Sequence, residues 1–273
     1  MTGADRSRSR RRRTRGGEYA RPRQRVKKSY GVLLVDFEPE TGRPVALLDR
    51  RRYTYAYADI VHDHISGRAG DRAIAGALGR TTVDEKLVLR SLDFRRIFGH
   101  IWGGAYYDSP LFAAKQRAFV GRFVAPDAGR RFTEFIDAAP SAPTQWELPK
   151  GRPEAGESPL DCAIRETLEE TGVPKSAYRI LPEFRLDESI THGDTCYHIT
   201  YYLGVMRGHL RPAVSCRRRA QIAEVAEVRW MGLEELRALD SAPGARRLTP
   251  IVRPALRYAK RLHRLRGRVA APG

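Results

Sequence analysis

Glu166, Glu169 and Glu170 are three carboxylates spaced so that, on a helix, they crowd onto one face, because residues three and four apart are neighbours there. Like charges held that close raise one another's pKa values, a cost that a bound cation removes. The ion that fits is Mg²⁺ or Mn²⁺, since both are hard, take oxygen ligands and bridge protein to phosphate. A carboxylate beside such an ion can take the proton of a water that attacks phosphorus, while the ion stabilises charge on the phosphate oxygens. A bare Glu-x-x-Glu-Glu reads more readily as a solvated acidic face. Here it stands in the 23-residue run from Gly151 to Val173, GRPEAGESPLDCAIRETLEETGV, in register with Gly151, Glu157, Arg165 and Gly172. Seven fixed letters at those intervals arise by accident roughly once in a billion windows given ordinary residue usage, which favours a site over a solvated face.

A loop followed by a helix must position these groups. Ser158 is an N-cap, Pro159 fits the first helical position, and Asp161 can close a capping box. Leu160, Ile164 and Leu168 recur every four residues and predict the buried face, while Gly172 suits the left-handed residue that ends a helix. Around this unit, Tyr30 to Asp36 and Val45 to Asp49 predict two strands joined by a turn near Pro39 to Pro44. Helical patterns follow at Tyr57 to His64, Val83 to Ser91 (opened by Thr82 and Glu85), Phe94 to Trp102, Pro110 to Phe123 and Thr133 to Ala138. Beyond Gly172, Tyr178 to Asp187, Thr195 to Met206 and Val225 to Met231 read as strands and Leu233 to Leu239 as a short helix.

The charge sits at the two ends. Of the net +18 over 273 residues, residues 1–28 hold +10 and residues 241–273 hold +9, leaving residues 29–240 at −1. The Arg-rich first stretch lacks apolar residues for a core and predicts a disordered tail that contacts polyanions. Pro250 to Arg266 predicts a basic amphipathic helix with Ile251, Ala255, Leu262 and Leu265 toward the body. Both ends favour RNA as partner, because cations near phosphates release counterions; nuclear import or solubilisation is the rival reading of Arg6 to Arg15. Cys162, Cys196 and Cys216 show neither metal-ligand spacing nor an even disulfide framework, which predicts a reducing, intracellular setting. No apolar run is long enough to span a bilayer and no signal-peptide core opens the chain, so no membrane partner is expected. No protein partner is inferable.

The run from Gly151 to Val173 resembles the signature of the Nudix hydrolases, and the resemblance implies roles position by position. It makes Gly151, Glu166, Glu169 and Glu170 metal-binding, with Glu170 the general base and Glu169 beside it in the catalytic set. Glu157 and Arg165 become a structural ion pair. A later acidic ligand is implied too, for which Glu224 in EVAEVRWM is the first choice and Glu227 the competitor. Thr167 stands where the family has an aliphatic residue, a departure that concerns packing. The flanking Trp146-Glu147-Leu148-Pro149-Lys150-Gly151-Arg152 and Asp161-Cys162-Ala163-Ile164-Arg165-Glu166 resemble the eukaryotic mRNA-decapping catalytic subunit. Lys150 and Arg152 then suit a polyphosphate bridge, against a plain reading as loop solvation. Cys162 reads as a packing residue, since water is the nucleophile.

A second resemblance covers most of residues 27 to 240. YAYADIVHDHIS and TTVDEKLVLRSLDFRRIFGHIWG, placed ahead of the signature, are similar to the decapping Nudix proteins of poxviruses and other large DNA viruses, from whose usual residues His62-Asp63-His64 departs. That triplet reads as a helix end, with a second metal site the lesser alternative. The implied fold is α/β: a Nudix α/β/α sandwich with a mixed sheet, built from residues 29–50 and 140–273 and interrupted by a helical insertion over residues 51–139. The implied reaction is hydrolysis of the mRNA cap bridge to 7-methyl-GDP and 5′-monophosphate RNA in the host cytoplasm, or the nucleus if the Arg-rich tail directs import. The cationic methylated guanine stacks on aromatic faces, and Tyr53, Tyr55, Trp102, Tyr106, Tyr107 and Trp146 are available. The rivals are a pyrophosphohydrolase of diphosphoinositol polyphosphates or nucleotides, and a non-enzymatic RNA-binding protein, against which the intact glutamates argue.

Overall fold

Val32, Leu33, Leu34 and Val35 are all buried because β1 (Arg25–Phe37) runs through a sheet covered on both faces, where a continuous apolar run is what a strand requires. The computed structural model describes residues 25–65, 70–192, 195–214, 219–242 and 247–269. Strand β2 (Pro44–Arg51) returns antiparallel to β1, and β1 lies parallel to β5 (Thr195–Met206), which pairs antiparallel with β4 (Tyr178–His192). Strand β6 (Val225–Met231) and the two-residue β3 (Trp146–Glu147) both pair antiparallel with β2. The sheet is mixed, in the order β3-β2-β1-β5-β4 with β6 off β2.

β1 begins five residues before the expected Tyr30. Arg25 to Lys28 pair with Thr195 to His198, so these four residues belong to the sheet and not to the basic tail; their partner strand lies far off in the sequence and supplies what local composition cannot. The rest of the predicted tail, residues 1–24, lies outside the described residues, as does Cys216.

One face of the sheet is covered by α7 (Pro159–Thr171) over Val32, Leu34, Leu47, Tyr178 and Val228. The other is covered by α9 (Leu233–Asp240) and α10 (Thr249–Val269) over Leu33, Val35, Leu48 and Leu203. The buried residues of α7 are Cys162, Ala163, Thr167 and Thr171, which corrects the predicted Leu160 face: Leu160 is 37% exposed. The helix turns small residues to the sheet because Thr167 bonds into β1. Its hydroxyl accepts the Val32 amide at 3.1 Å and donates to the Ala163 carbonyl at 2.7 Å. In α10 the inward stripe is Val252, Ala255, Leu256 and Ala259, whereas Leu265 is exposed beside Arg257, Lys260, Arg261 and Arg264. Among the described residues no helix is long and apolar enough to cross a membrane.

Between β2 and β3 the chain forms α1 (Tyr55–Val61), α2 (Asp71–Leu78), α3 (Val83–Arg90), α4 (Phe94–Trp102), α5 (Pro110–Phe119) and α6 (Arg130–Ala138) around a separate core that includes Tyr57, Leu78, Leu89, Phe98 and Phe119. The buried Glu85 ties two of these helices together. Its carboxylate accepts from the Thr82 amide, completing the capping box of α3, and from the amide (2.5 Å) and hydroxyl (2.8 Å) of Thr54, the N-cap of α1. α2 has Gly70 at its N-cap and no side-chain cap, which is why no start signal marks it in the sequence.

Candidate active site

The site forms where β1 and β2 splay apart. Trp146 and Glu147 pair with Arg50 and Asp49 of β2, and Gly151 then bridges to Tyr30 of β1, with Tyr30 N–H to Gly151 O at 2.9 Å and the reciprocal bond at 3.1 Å. The segment 146–151 is thus wedged between the two strands. Glycine at its end leaves the room that the Glu166 carboxyl takes: a Cβ on Gly151 would stand 2.0 Å from the Glu166 carboxyl carbon and displace that side chain. The missing side chain lets the loop backbone lie against the first glutamate of α7. Ser158 caps that helix by accepting the Asp161 amide, its hydroxyl donating to the Asp161 carboxylate, and Gly172 ends it at φ 77°.

Arg165 occupies the middle of the glutamates. Its Nε and Nη2 each reach Glu157 at 2.8 Å, Nη1 reaches Glu166 at 2.8 Å and Glu169 at 3.2 Å, and Nη2 also donates to the Arg152 carbonyl. The Arg165 fork holds the Glu157 carboxyl down at about 2, whereas burial pushes Glu166 above the ordinary carboxylate range. Cys162, buried beside them, has its thiol pushed up to about 12 by burial and then by Glu157, which makes it inert packing.

Glu170 points the other way, into a second acidic group. Its Oε2 accepts the Lys150 amide at 2.7 Å, and burial, then Asp49, raises its pKa well above the ordinary value. Asp49 is 3% exposed, and burial together with Glu147 pushes its carboxyl up to about 7. Glu147 Oε2 accepts from Lys150 Nζ at 2.5 Å and from the Tyr55 hydroxyl at 2.9 Å. Although burial alone would depress the Lys150 ammonium, Glu147 keeps it charged. Lys150 is therefore committed to Glu147, while Arg152 is the exposed cation of the loop.

Glu224 closes α8 (Arg219–Glu224), which Gln221 ties to α7 by donating to the Glu170 carbonyl at 3.0 Å. Its charge adds to the upward push on both Glu166 and Glu170. Glu227, by contrast, pairs with Arg50 across β2 and β6 at 3.1 Å. The fold thus brings Glu224 to the glutamates and gives Glu227 a partner elsewhere. The sequence reading missed Asp49 and Glu147; their only local trace is an acidic residue closing an apolar strand and one next to Trp146.

No three His, Cys, Asp or Glu side chains among the described residues converge into a ready-made cage, and Arg165 bridges Glu166 and Glu169. The donor set nevertheless fits a hard divalent ion. It is all oxygen and partly buried, and Asp49 Oδ1 accepts no hydrogen bond. Among the aromatic residues, Tyr55, Trp102 and Tyr106 are exposed and Tyr53 is buried. Trp146 lies against the guanidiniums of Arg50 and Arg229, and Tyr107 against that of Arg95. His62 ends α1, and Asp63 is engaged by Arg122 at 2.9 Å, as expected of a helix end.

A NUDIX domain is matched over residues 129–251. The mRNA-decapping protein g5R of African swine fever virus is 31% identical over 242 residues, which cover 86% of this chain and 96% of that protein. The RNA pyrophosphohydrolase of Bartonella quintana is 32% identical over 91 residues, 33% of this chain and 43% of its own length. The asymmetrical bis(5′-nucleosyl)-tetraphosphatase of Mus musculus is likewise 32% identical over 91 residues, 33% of this chain and 57% of its own length.

Proposed function

The chain belongs to the Nudix hydrolases, enzymes that act on phosphorus anhydrides, and from that premise we propose that it cleaves the pyrophosphate bridge of the mRNA 5′ cap with Mg²⁺ or Mn²⁺, releasing 7-methyl-GDP and 5′-monophosphate RNA. The observation that carries this reading is the length of the likeness to the viral decapping protein. An alignment over 86% of the chain must run through α1–α6 as well as the sheet, whereas the shorter relatives match only a third of the chain.

In this reading Glu166, Glu169 and Glu170, with the Gly151 carbonyl and Glu224, hold the divalent ion, which supplies charge stabilisation at the phosphate oxygens. Glu170 takes the proton of the attacking water. Glu169, 41% exposed, borders the water side of the same helix face. Arg152 meets the polyphosphate, and Lys150 keeps Glu147 and the loop in place. Tyr55, Trp102 and Tyr106 offer faces to the methylated guanine. The basic face of α10 and the Arg-rich tail contact the RNA body, and the place of action is the host cytoplasm.

The test is incubation of the purified protein and Mg²⁺ or Mn²⁺ with cap-labelled RNA and, separately, with a diphosphoinositol polyphosphate. Wild type should release 7-methyl-GDP, and Glu170→Gln should be slower by on the order of 100-fold or more, the usual worth of a general base. Turnover of the inositol substrate alone would overturn the choice of substrate and leave the hydrolase chemistry standing.

A further inference from the structure

Asp49 is hard to account for as a folding residue. It follows Val45 to Leu48, which are all buried, on a strand whose neighbours lie on both sides, and it is itself 3% exposed. A carboxylate in that position costs stability unless its oxygens are satisfied. Its Oδ1 accepts no hydrogen bond. The residue directly opposite it on β3 is Glu147, another buried carboxylate, and like charges facing each other across a ladder are destabilising. Lys150 and Arg51 offset only part of that cost, since burial and Glu147 outweigh them and Lys150 Nζ is bonded to Glu147 at 2.5 Å. Arg51 lies over the rings of Tyr53 and Tyr55. Lys150 links Glu170 to the two carboxylates, its amide donating to Glu170 Oε2 at 2.7 Å while its Nζ holds the Glu147 that lies opposite Asp49.

A buried carboxylate with an unpartnered oxygen, facing one carboxylate on the strand and another on the helix, is an arrangement that a divalent cation resolves. We propose that Asp49 is a further ligand of the divalent cation, binding it from β2 beside Glu170. This rests on the hydrolase reading above but not on the choice of substrate. It assigns the ion donors from two elements that the signature does not contain in common: the helix α7 and the strand β2. A strand residue locked by pairing on both edges moves little, so it would fix the ion's position against the sheet while the exposed Glu169 remains adaptable.

The measurement is Mn²⁺ binding to the full chain, followed by electron paramagnetic resonance of the free ion, for wild type, Asp49→Asn and Glu170→Gln. No substrate is present. Asp49→Asn should lose Mn²⁺ affinity by about 10-fold or more, in the range that ligand and supporting groups carry, while its metal-free melting temperature stays level or rises. Mn²⁺ affinity within twofold of wild type in a folded Asp49→Asn would overturn the assignment. Should Asp49→Asn fail to fold, Asp49→Ser, which is smaller and also uncharged, carries the same expectation and the same refutation. A wild type that binds Mn²⁺ through Asp49 yet leaves capped RNA intact would sustain this assignment and remove only the substrate reading. A wild type and a Glu170→Gln that bind Mn²⁺ equally would overturn the site and this inference with it.

Discussion

Thr167 offers the sharpest test of how α7 is held. The residue is fully buried, and its hydroxyl is the acceptor for the Val32 amide of β1 at 3.1 Å. Thr167→Val keeps the shape and the β-branch, and it restores the aliphatic residue that the family pattern prefers. It also strands the Val32 N–H between helix and sheet. An orphaned buried amide costs about 1–3 kcal/mol. The added methyl returns at most about 0.8 kcal/mol. The Ala163 carbonyl loses the Thr167 hydroxyl but keeps its place in the helical ladder. The net expectation is a loss of about 0.2–2.2 kcal/mol, which, with a urea m-value of about 3 kcal/mol/M for a chain of this size, lowers the unfolding midpoint by up to roughly 0.7 M. Amide hydrogen exchange adds a local readout, since Val32 should lose protection while Leu34, one pleat along, keeps it. A Thr167→Val protein as stable as wild type, with Val32 still protected, would show that the hydrogen bond holds nothing and that the reasoning fails.

Two further outcomes follow from other buried or shared charges. Glu85 accepts from Thr54 and from Thr82 at 1% exposure, so Glu85→Ala leaves the Thr54 amide and hydroxyl and the Thr82 amide without their acceptor and should cost about 3 kcal/mol or more; urea unfolding that matches wild type would contradict this. Arg165→Ala removes the group that holds Glu157 down from 4.5 to about 2. A depressed carboxylate stabilises above its unfolded pKa and loses that contribution as pH falls through its folded one. The stability gap between wild type and Arg165→Ala should therefore be full at pH 6 and narrow between pH 4.5 and pH 2. A gap that stays constant across that range, in denaturation curves taken at each pH, would rule the linkage out.

The sequence by itself determined what is local. Although of the three glutamates expected on one face the fold keeps Glu166 and Glu169 on Arg165 and turns Glu170 to the Lys150 amide, helix α7, its Ser158 cap and its Gly172 end follow from signals within one helix, which need no tertiary help. The same holds for the Thr82 to Glu85 box, and for β6, whose limits match the expected Val225 to Met231. What only the tertiary structure decided is non-local. The face that α7 buries carries the Thr167 bond to β1, 135 residues away, and it takes in Ala163 and part of Ile164 but leaves Leu160 outside, an offset that hydrophobic periodicity does not suggest. Arg25 to Lys28 joined the sheet because β5 offered a partner. Three carboxylates on a helix called for a cation, yet in the folded chain Arg165 shares itself among Glu157, Glu166 and Glu169. Glu224 was separated from Glu227 by strand pairing, which gives Glu227 to Arg50. The group of Asp49, Glu147, Lys150 and Glu170 exists only because β1 and β2 part and admit residues 146–151 between them, and no periodicity along the chain encodes where two strands will separate.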